Sequence, residues 1–234
     1  MNCHFCGQTY KITTNIPRFV NSRNLPKILQ SSKSEYEKLH QKRWEKIPDG
    51  SYEILAAFAK GNKTVDIACG DGFVEMLAPE TVGVEFSGNA LKKAQKNGAR
   101  YLVQATAEQL PFADDAFDIA MCAGSLEHFA NPEKALSEMK RVSNIQILTV
   151  HRALPIPFAK LLFPFTKFVF GILHQPIEIP FTEAELLRLY EKTNLSIIFK
   201  GVWTLPINYG KAIPFLPVLQ NIPSCFFVIS IKKS

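Results

Sequence analysis

The chain has no apolar run long enough to cross a bilayer. Its most hydrophobic region, 153–173, is interrupted by Pro155, Pro157, Lys160, Pro164 and Lys167, whereas a spanning helix needs about 20 consecutive apolar residues. The start, Met1-Asn2-Cys3-His4, has neither the basic stretch nor the apolar stretch of a secretory signal. The five cysteines are few and odd in number, which excludes a disulfide framework and points to a reducing, cytoplasmic compartment. Cys69, Cys122 and Cys225 read as buried thiols. Repeats, low-complexity tracts and an RNA-binding module are all missing. Cys3, His4 and Cys6 form half of a zinc knuckle, but no second C-x-x-C follows and the next cysteine is Cys69. A closed four-ligand site is therefore not expected there, and no metal is assigned.

What is present suits a packed domain. Apolar residues make up 47% of the 234 residues, enough for a full core. The net charge of +6 rests largely on scattered helix-face lysines (Lys38, Lys42, Lys92, Lys93 and Lys96), so an acidic partner is permitted and not required. The length fits one main domain with an appended piece. We divide it into a small N-terminal appendage over 1–30 and a main domain over 31–234.

Strands are expected at about 63–68, 81–85, 101–105, 117–122, 145–150, 195–201 and 225–232. Helices are expected at 73–78, 88–97 and 132–141, between successive strands. Three more should cover 32–46, 49–59 and 182–192. Ser32, Ser34 or both would cap the first of these, with Tyr36, Leu39 and Trp44 as its apolar residues. Asp49 would cap the second, and Thr182 with Glu185 would form a capping box on the third. Strands alternating with helices imply an α/β fold: a doubly wound, Rossmann-like, mostly parallel seven-stranded sheet with helices on both faces.

The most informative stretch is Val65-Asp66-Ile67-Ala68-Cys69-Gly70-Asp71-Gly72. It reads as a short apolar strand, a tight glycine loop and a helix N-terminus, which together bring backbone close to a ligand. A second strand ends in Glu85, nineteen residues after Asp66. An acid at that distance is placed to hold ribose hydroxyls. The dinucleotide fingerprint needs a third glycine for close helix–strand packing, but that position is Glu75. Asp66 lies ahead of the glycines, where a carboxylate would repel a pyrophosphate and suit a ligand with an ammonium group.

The combination resembles motif I and the ribose acid of class I S-adenosylmethionine-dependent methyltransferases. Other blocks follow in that family's order. Gln104 to Phe112 is similar to the loop after the third strand, where adenine sits. Ala116 to Cys122 looks like the fourth strand, and Ser125-Leu126-Glu127-His128-Phe129 with Asn131 to Leu136 looks like the loop and helix after it. The resemblance covers residues 44–150 well and the rest loosely. It implies an antiparallel last strand and S-adenosylmethionine as cofactor. It also implies cofactor contacts from Asp66, Ala68, Cys69, Gly70, Gly72, Glu85, Phe86, Thr106, Ala107, Glu108 and Ala123. Thr106 stands where the family often has an aspartate, and a Val142-Ser143-Asn144-Ile145 turn replaces a glycine-rich one.

For chemistry on the acceptor, His128 is the candidate general base or orienting group, since its ordinary pKa suits proton transfer near neutral pH. A structural histidine bracing the loop is the competing reading. His151, at the end of the fifth strand, is a second candidate, and Glu127 is expected to face solvent or a backbone donor. Residues 152–180, with Phe158, Phe163, Phe165, Phe168 and Phe170 beside three prolines, are expected to form a lid suited to an apolar or aromatic small-molecule acceptor. Packing or a homodimer interface is the alternative use of those aromatics. An RNA base acceptor is the second functional reading, permitted by the positive charge. A non-catalytic cofactor-binding or scaffold protein is the third, and an oxidoreductase the last.

Overall fold

A computed structural model describes residues 9–20, 25, 27–39, 50–153, 177, 179–203 and 225–233. Cys3, His4 and Cys6, Trp44, the Asp49 cap and the body of the expected lid lie outside the described residues.

Among the described residues nine strands form one sheet: β1 (Lys11–Thr13), β2 (Ile16–Arg18), β3 (Thr64–Ile67), β4 (Val82–Glu85), β5 (Tyr101–Gln104), β6 (Phe117–Ala123), β7 (Ser143–His151), β8 (Leu195–Trp203) and β9 (Cys225–Lys232). Their order is β1-β2-β5-β4-β3-β6-β7-β9-β8. Strands β3 to β7 are mutually parallel, and β9 runs antiparallel between β7 and β8. The helices are α1 (Lys27–Leu39), α2 (Ser51–Ala59), α3 (Phe73–Leu77), α4 (Gly88–Lys96), α5 (Pro132–Val142) and α6 (Glu183–Lys192), with a 3₁₀ turn at Leu126–His128. The α/β architecture is as expected, with two strands beyond the expected seven. The extra pair is the β1–β2 hairpin, whose Arg18 pairs with Gln104 of β5. Its two short strands are too polar and too brief to carry a periodic signal.

Alternation along β6 explains the two layers. Ile119 and Met121 pack with α2 and α3 through Leu55, Ala56, Ala59 and Val74. Ala120 and Cys122 pack with α5 and α6 through Leu136, Met139, Leu186 and Tyr190. A strand buried on both faces alternates direction while staying apolar, which is the pattern of a central parallel strand. The thiols of Cys69, Cys122 and Cys225 are free and buried, as expected.

Helix starts moved where local chemistry was ambiguous. Helix α1 begins at Lys27, so Ser32 and Ser34 lie inside it, and the Ser32 hydroxyl donates to the Ile28 carbonyl at 2.6 Å instead of capping. Helix α2 begins at Ser51 after Gly50, whose φ is 77°. The Thr182–Glu185 capping box on α6 is present in both directions. Strand order reverses between β3 and β6, and a ligand crevice opens at the carboxyl ends of parallel strands at such a switch point.

Candidate active site

The loop after β3 lies at that switch point. Ala68, Gly70 and Gly72 all have positive φ, at 63°, 56° and 81°. A left-handed alanine is unusual, because its Cβ crowds the following carbonyl. A Cβ on Gly72 would stand 2.8 Å from Cβ of Ala94 in α4, so this glycine lets the loop close against that helix. The loop is anchored by the Cys69 N–H on the Val84 carbonyl at 3.0 Å.

Glu85, at the end of β4, bridges two loops. Its Oε2 accepts from the Gly70 N–H at 3.1 Å and its Oε1 from the Ser87 N–H at 2.7 Å. Ser87 in turn caps α4 by accepting from the Ala90 N–H. Helix α4 carries no acid in its first turn. Glu37 of α1 supplies one: its carboxylate accepts from the N–H groups of Gly88 and Asn89 at 2.8 and 2.9 Å and from the Ser87 hydroxyl at 3.2 Å. An acid at a helix N-terminus is favoured by the orphan N–H groups and the helix dipole. The neighbouring Tyr36 sets its ring edge-on to Phe86 at 6.4 Å and donates its hydroxyl to the His128 carbonyl at 3.2 Å. Helix α1 thus spans the loops after β4 and β6. Sequence reasoning found the helix and missed this role. The signal available was the α4 N-terminus, which lacks an acid of its own.

Several expected cofactor residues gather here. Ala68, Phe86, Thr106 and Ala123 are half-buried at the carboxyl ends of β3, β4, β5 and β6. Others turn inward. Asp66 is buried beside Glu75, which is also buried. Burial, then the Glu75 and Glu85 charges, hold the Asp66 carboxyl well above the usual carboxylate range. Burial pushes Glu75 up to about 8. Two like carboxyls in a dry site keep a proton between them at neutral pH. Burial and the same acids also raise the Cys69 thiol, whose Sγ fills the space beside Gly83. Glu108 is buried with its carboxylate accepting from the Asn131 N–H at 3.3 Å, and Ala107 packs into the core.

The acceptor side differs most from expectation. Glu127 is not at the surface: it is 1% exposed. Its Oε1 lies 2.6 Å from Nδ1 of His151 and 3.6 Å from Nε2 of His128. The His151 charge and hydrogen bond, with help from His128, overcome burial and hold the Glu127 carboxyl below its ordinary value. Against the opposing effect of burial, Glu127 raises His151 well above the ordinary histidine range. The other nitrogen of His128, Nδ1, lies 2.7 Å from the Ile177 carbonyl oxygen. His128 is 7% exposed, while the His151 side chain is 35% exposed.

Residues 65–144 match the methyltransferase domain family. Among relatives, demethylmenaquinone methyltransferase of Desulfitobacterium hafniense (strain Y51) is 40% identical over 96 residues, covering 35% of this chain and 38% of the relative. The chloroplastic 2-methyl-6-phytyl-1,4-hydroquinone methyltransferase 2 of Oryza sativa subsp. japonica is 31% identical over 107 residues, covering 42% and 31%. The chain therefore spans less than half the length of these two relatives. The solved magnesium protoporphyrin IX methyltransferase of Synechocystis PCC 6803 with bound SAH superposes with a TM-score of 0.58 at 13% identity, covering 86% of this chain and 93% of that one. That likeness is one of fold. With the strand order and the glycine loop, these matches identify residues 65–144 as a methyltransferase domain.

Proposed function

We propose that this chain transfers a methyl group from S-adenosylmethionine to a small, apolar, aromatic acceptor of the hydroquinone class. The observation that carries the reading is the Glu85 carboxylate at the end of β4, clamped to the glycine loop by the Gly70 N–H. The residues fit the cofactor. A carboxylate has about four acceptor positions, and the Gly70 and Ser87 N–H groups use two of them. Two are left for ribose hydroxyls. The loop from Ala68 to Gly72 brings bare backbone to the same crevice.

When bound, S-adenosylmethionine supplies a methyl already activated on a sulfonium, open to in-line displacement. The protein has only to position the acceptor and exclude water. Phe86 would pack against the adenine, with Thr106 and the backbone of Ala107 near its edge. Cys69, Asp66 and Glu108 support the loops from behind, and Ala123 lies beside the donor. His128 and His151, joined through Glu127, would orient the acceptor and hold its proton at an imidazole nitrogen. The hydroquinone class is supported by the second relative's name, and an acceptor of the wider quinone type by the first's.

We also infer a reducing, cytoplasmic setting, supported by the three free thiols. Among the described residues no helix is long and apolar enough to cross a membrane.

Isothermal titration with S-adenosylmethionine, S-adenosylhomocysteine and NAD tests the cofactor. Micromolar binding of the first two and none of the third is expected. Failure of both sulfur ligands to bind overturns the reading and favours a scaffold role. Methyl transfer to a panel of hydroquinones, phenols and RNA then tests the acceptor. Transfer to RNA alone would replace the small-molecule class.

A further inference from the structure

Glu127, His128 and His151 converge from two strand ends. The first two are consecutive in the 3₁₀ turn after β6, and the third ends β7. One donor atom from each lies within 4.8 Å of the others. We propose that this triad binds a divalent transition-metal ion at the acceptor end of the crevice.

Four observations support the site. First, both donor pairs that include Glu127 are close to the spacing one ion needs. Ligands held at about 2.0–2.1 Å from one ion stand roughly 3 Å apart, and the contacts of 2.6 Å and 3.6 Å from Glu127 Oε1 fall on either side of that. A small opening of the Glu127–His151 contact makes room for the ion.

Second, one ligand is already oriented. With its Nδ1–H given to the Ile177 carbonyl, 2.7 Å away, His128 presents the Nε2 lone pair toward Glu127. A backbone carbonyl on the far nitrogen is the usual outer-shell support of a metal-bound imidazole.

Third, the charge calls for a cation. The buried Glu127 carboxylate needs a positive partner in a dry interior. A proton shared with His151 answers that need without a metal. A divalent ion answers it by replacing the proton, so that one proton is released for each ion bound.

Fourth, the site is not closed. Three protein donors leave at least one coordination position free. His151 is the exposed member, and Gly124 beside it has no side chain to obstruct. A Cβ on Gly124 would stand 3.8 Å from His151 Nε2.

Two imidazoles and one carboxylate suit ions of the manganese-to-zinc series and not calcium or magnesium, which prefer all-oxygen shells. The metal site stands independently of the proposed methyl transfer. Its use is a deepening of the proposed methyl transfer: the open position would take an acceptor oxygen and polarise it as a Lewis acid.

The test uses the full chain carrying Cys3→Ser and Cys6→Ser, stripped of metal, so that those thiols cannot bind the probe. Titration with Co²⁺ should give one equivalent of visible d–d absorption with no thiolate charge-transfer band. Zn²⁺ should bleach it, and unbuffered protein should release one proton per ion. His151→Ala and Glu127→Gln should weaken Co²⁺ binding at least about tenfold. His151→Asn is the second variant if alanine fails to fold. Titrating the same proteins with S-adenosylmethionine separates loss of the metal from loss of the cofactor reading. Absence of the Co²⁺ signal in the folded parent, or unchanged affinity in folded His151 variants, overturns the proposal.

Discussion

Glu85 combines a structural and a ligand-binding demand in one carboxylate. Its oxygens already take the Gly70 and Ser87 N–H groups, so Glu85→Ala should cost more than a ribose contact. We expect cofactor affinity to fall by about 1–3 kcal/mol, the scale of charged hydrogen bonds lost at a buried site. Glu85→Gln, which keeps one acceptor, should fall between. An unchanged dissociation constant in titration calorimetry would remove Glu85 from the site. Ala68 makes the opposite prediction. At φ 63° it carries strain of about 1–2 kcal/mol that glycine would not, partly offset by the extra freedom glycine gives the unfolded chain. Ala68→Gly should therefore raise stability by about 0.5–1 kcal/mol in urea unfolding, and an unaltered or lower midpoint would sink the strain argument. These residues were legible because the motif is local: loop, glycines and acid lie within twenty positions. Glu127 was not legible. It sits beside an obvious histidine in a short polar run, and nothing near it in sequence says that it points inward. Its partner His151 is twenty-four residues away and meets it only because β6 and β7 pair in parallel, with Ala123 opposite Thr149.

Among the elements, strands were easier to place than helix starts. Central strands announce themselves by continuous apolar runs, and β3 pairs in parallel with β4 and β6 where those runs fall. Helix α1 shows what the sequence does not carry. Its apolar residues mark it as amphipathic, but the reason for its position lies in Glu37 and Tyr36, which reach groups fifty-one and ninety-two residues away. Glu37 serves as the acid that α4 lacks. Glu37→Ala should leave the Gly88 and Asn89 N–H groups without their carboxylate and cost about 1–2 kcal/mol, the range of a lost N-cap. Since α1 also braces Phe86 and the His128 carbonyl, the same variant should weaken S-adenosylmethionine binding severalfold and speed proteolysis within 27–39. Tyr36→Phe should show a smaller effect on binding with little change in stability. Cleavage at the parental rate in Glu37→Ala would mean that α1 is held elsewhere.

For the molecule as a whole, the buried Asp66–Glu75 pair sets how stability depends on pH. Glu75 is 0% exposed and sits between β3 and β4, against Asp66, Cys69 and Glu85. Its folded pKa is about 8 against an ordinary value of 4.5. The folded state therefore binds a proton that the unfolded state has already released across that interval. Stability is highest below about 4.5 with respect to this group, and is lost steadily as pH rises towards 8. Above 8 the loss is complete, because the folded protein must then hold the charge in a dry site. Asp66 has the same sign, which deepens the decline. Glu75→Gln removes the titration while keeping the shape. At about pH 4, below the ordinary carboxylate value, folded and unfolded chains both hold the proton, so variant and parent should differ little. At pH 8.5 the variant should be the more stable, with a melting temperature higher by a few degrees for a chain of this size. The comparison isolates Glu75 from His151, whose raised pKa also lowers stability as pH rises but is common to both proteins. Melting curves at the two pH values decide it: parallel shifts in parent and variant would show that Glu75 is charged in the folded state at both, and that another cation answers for it. Divergence above neutral pH would show that this methyltransferase domain keeps an acid in the place of a helix-packing glycine by keeping it protonated.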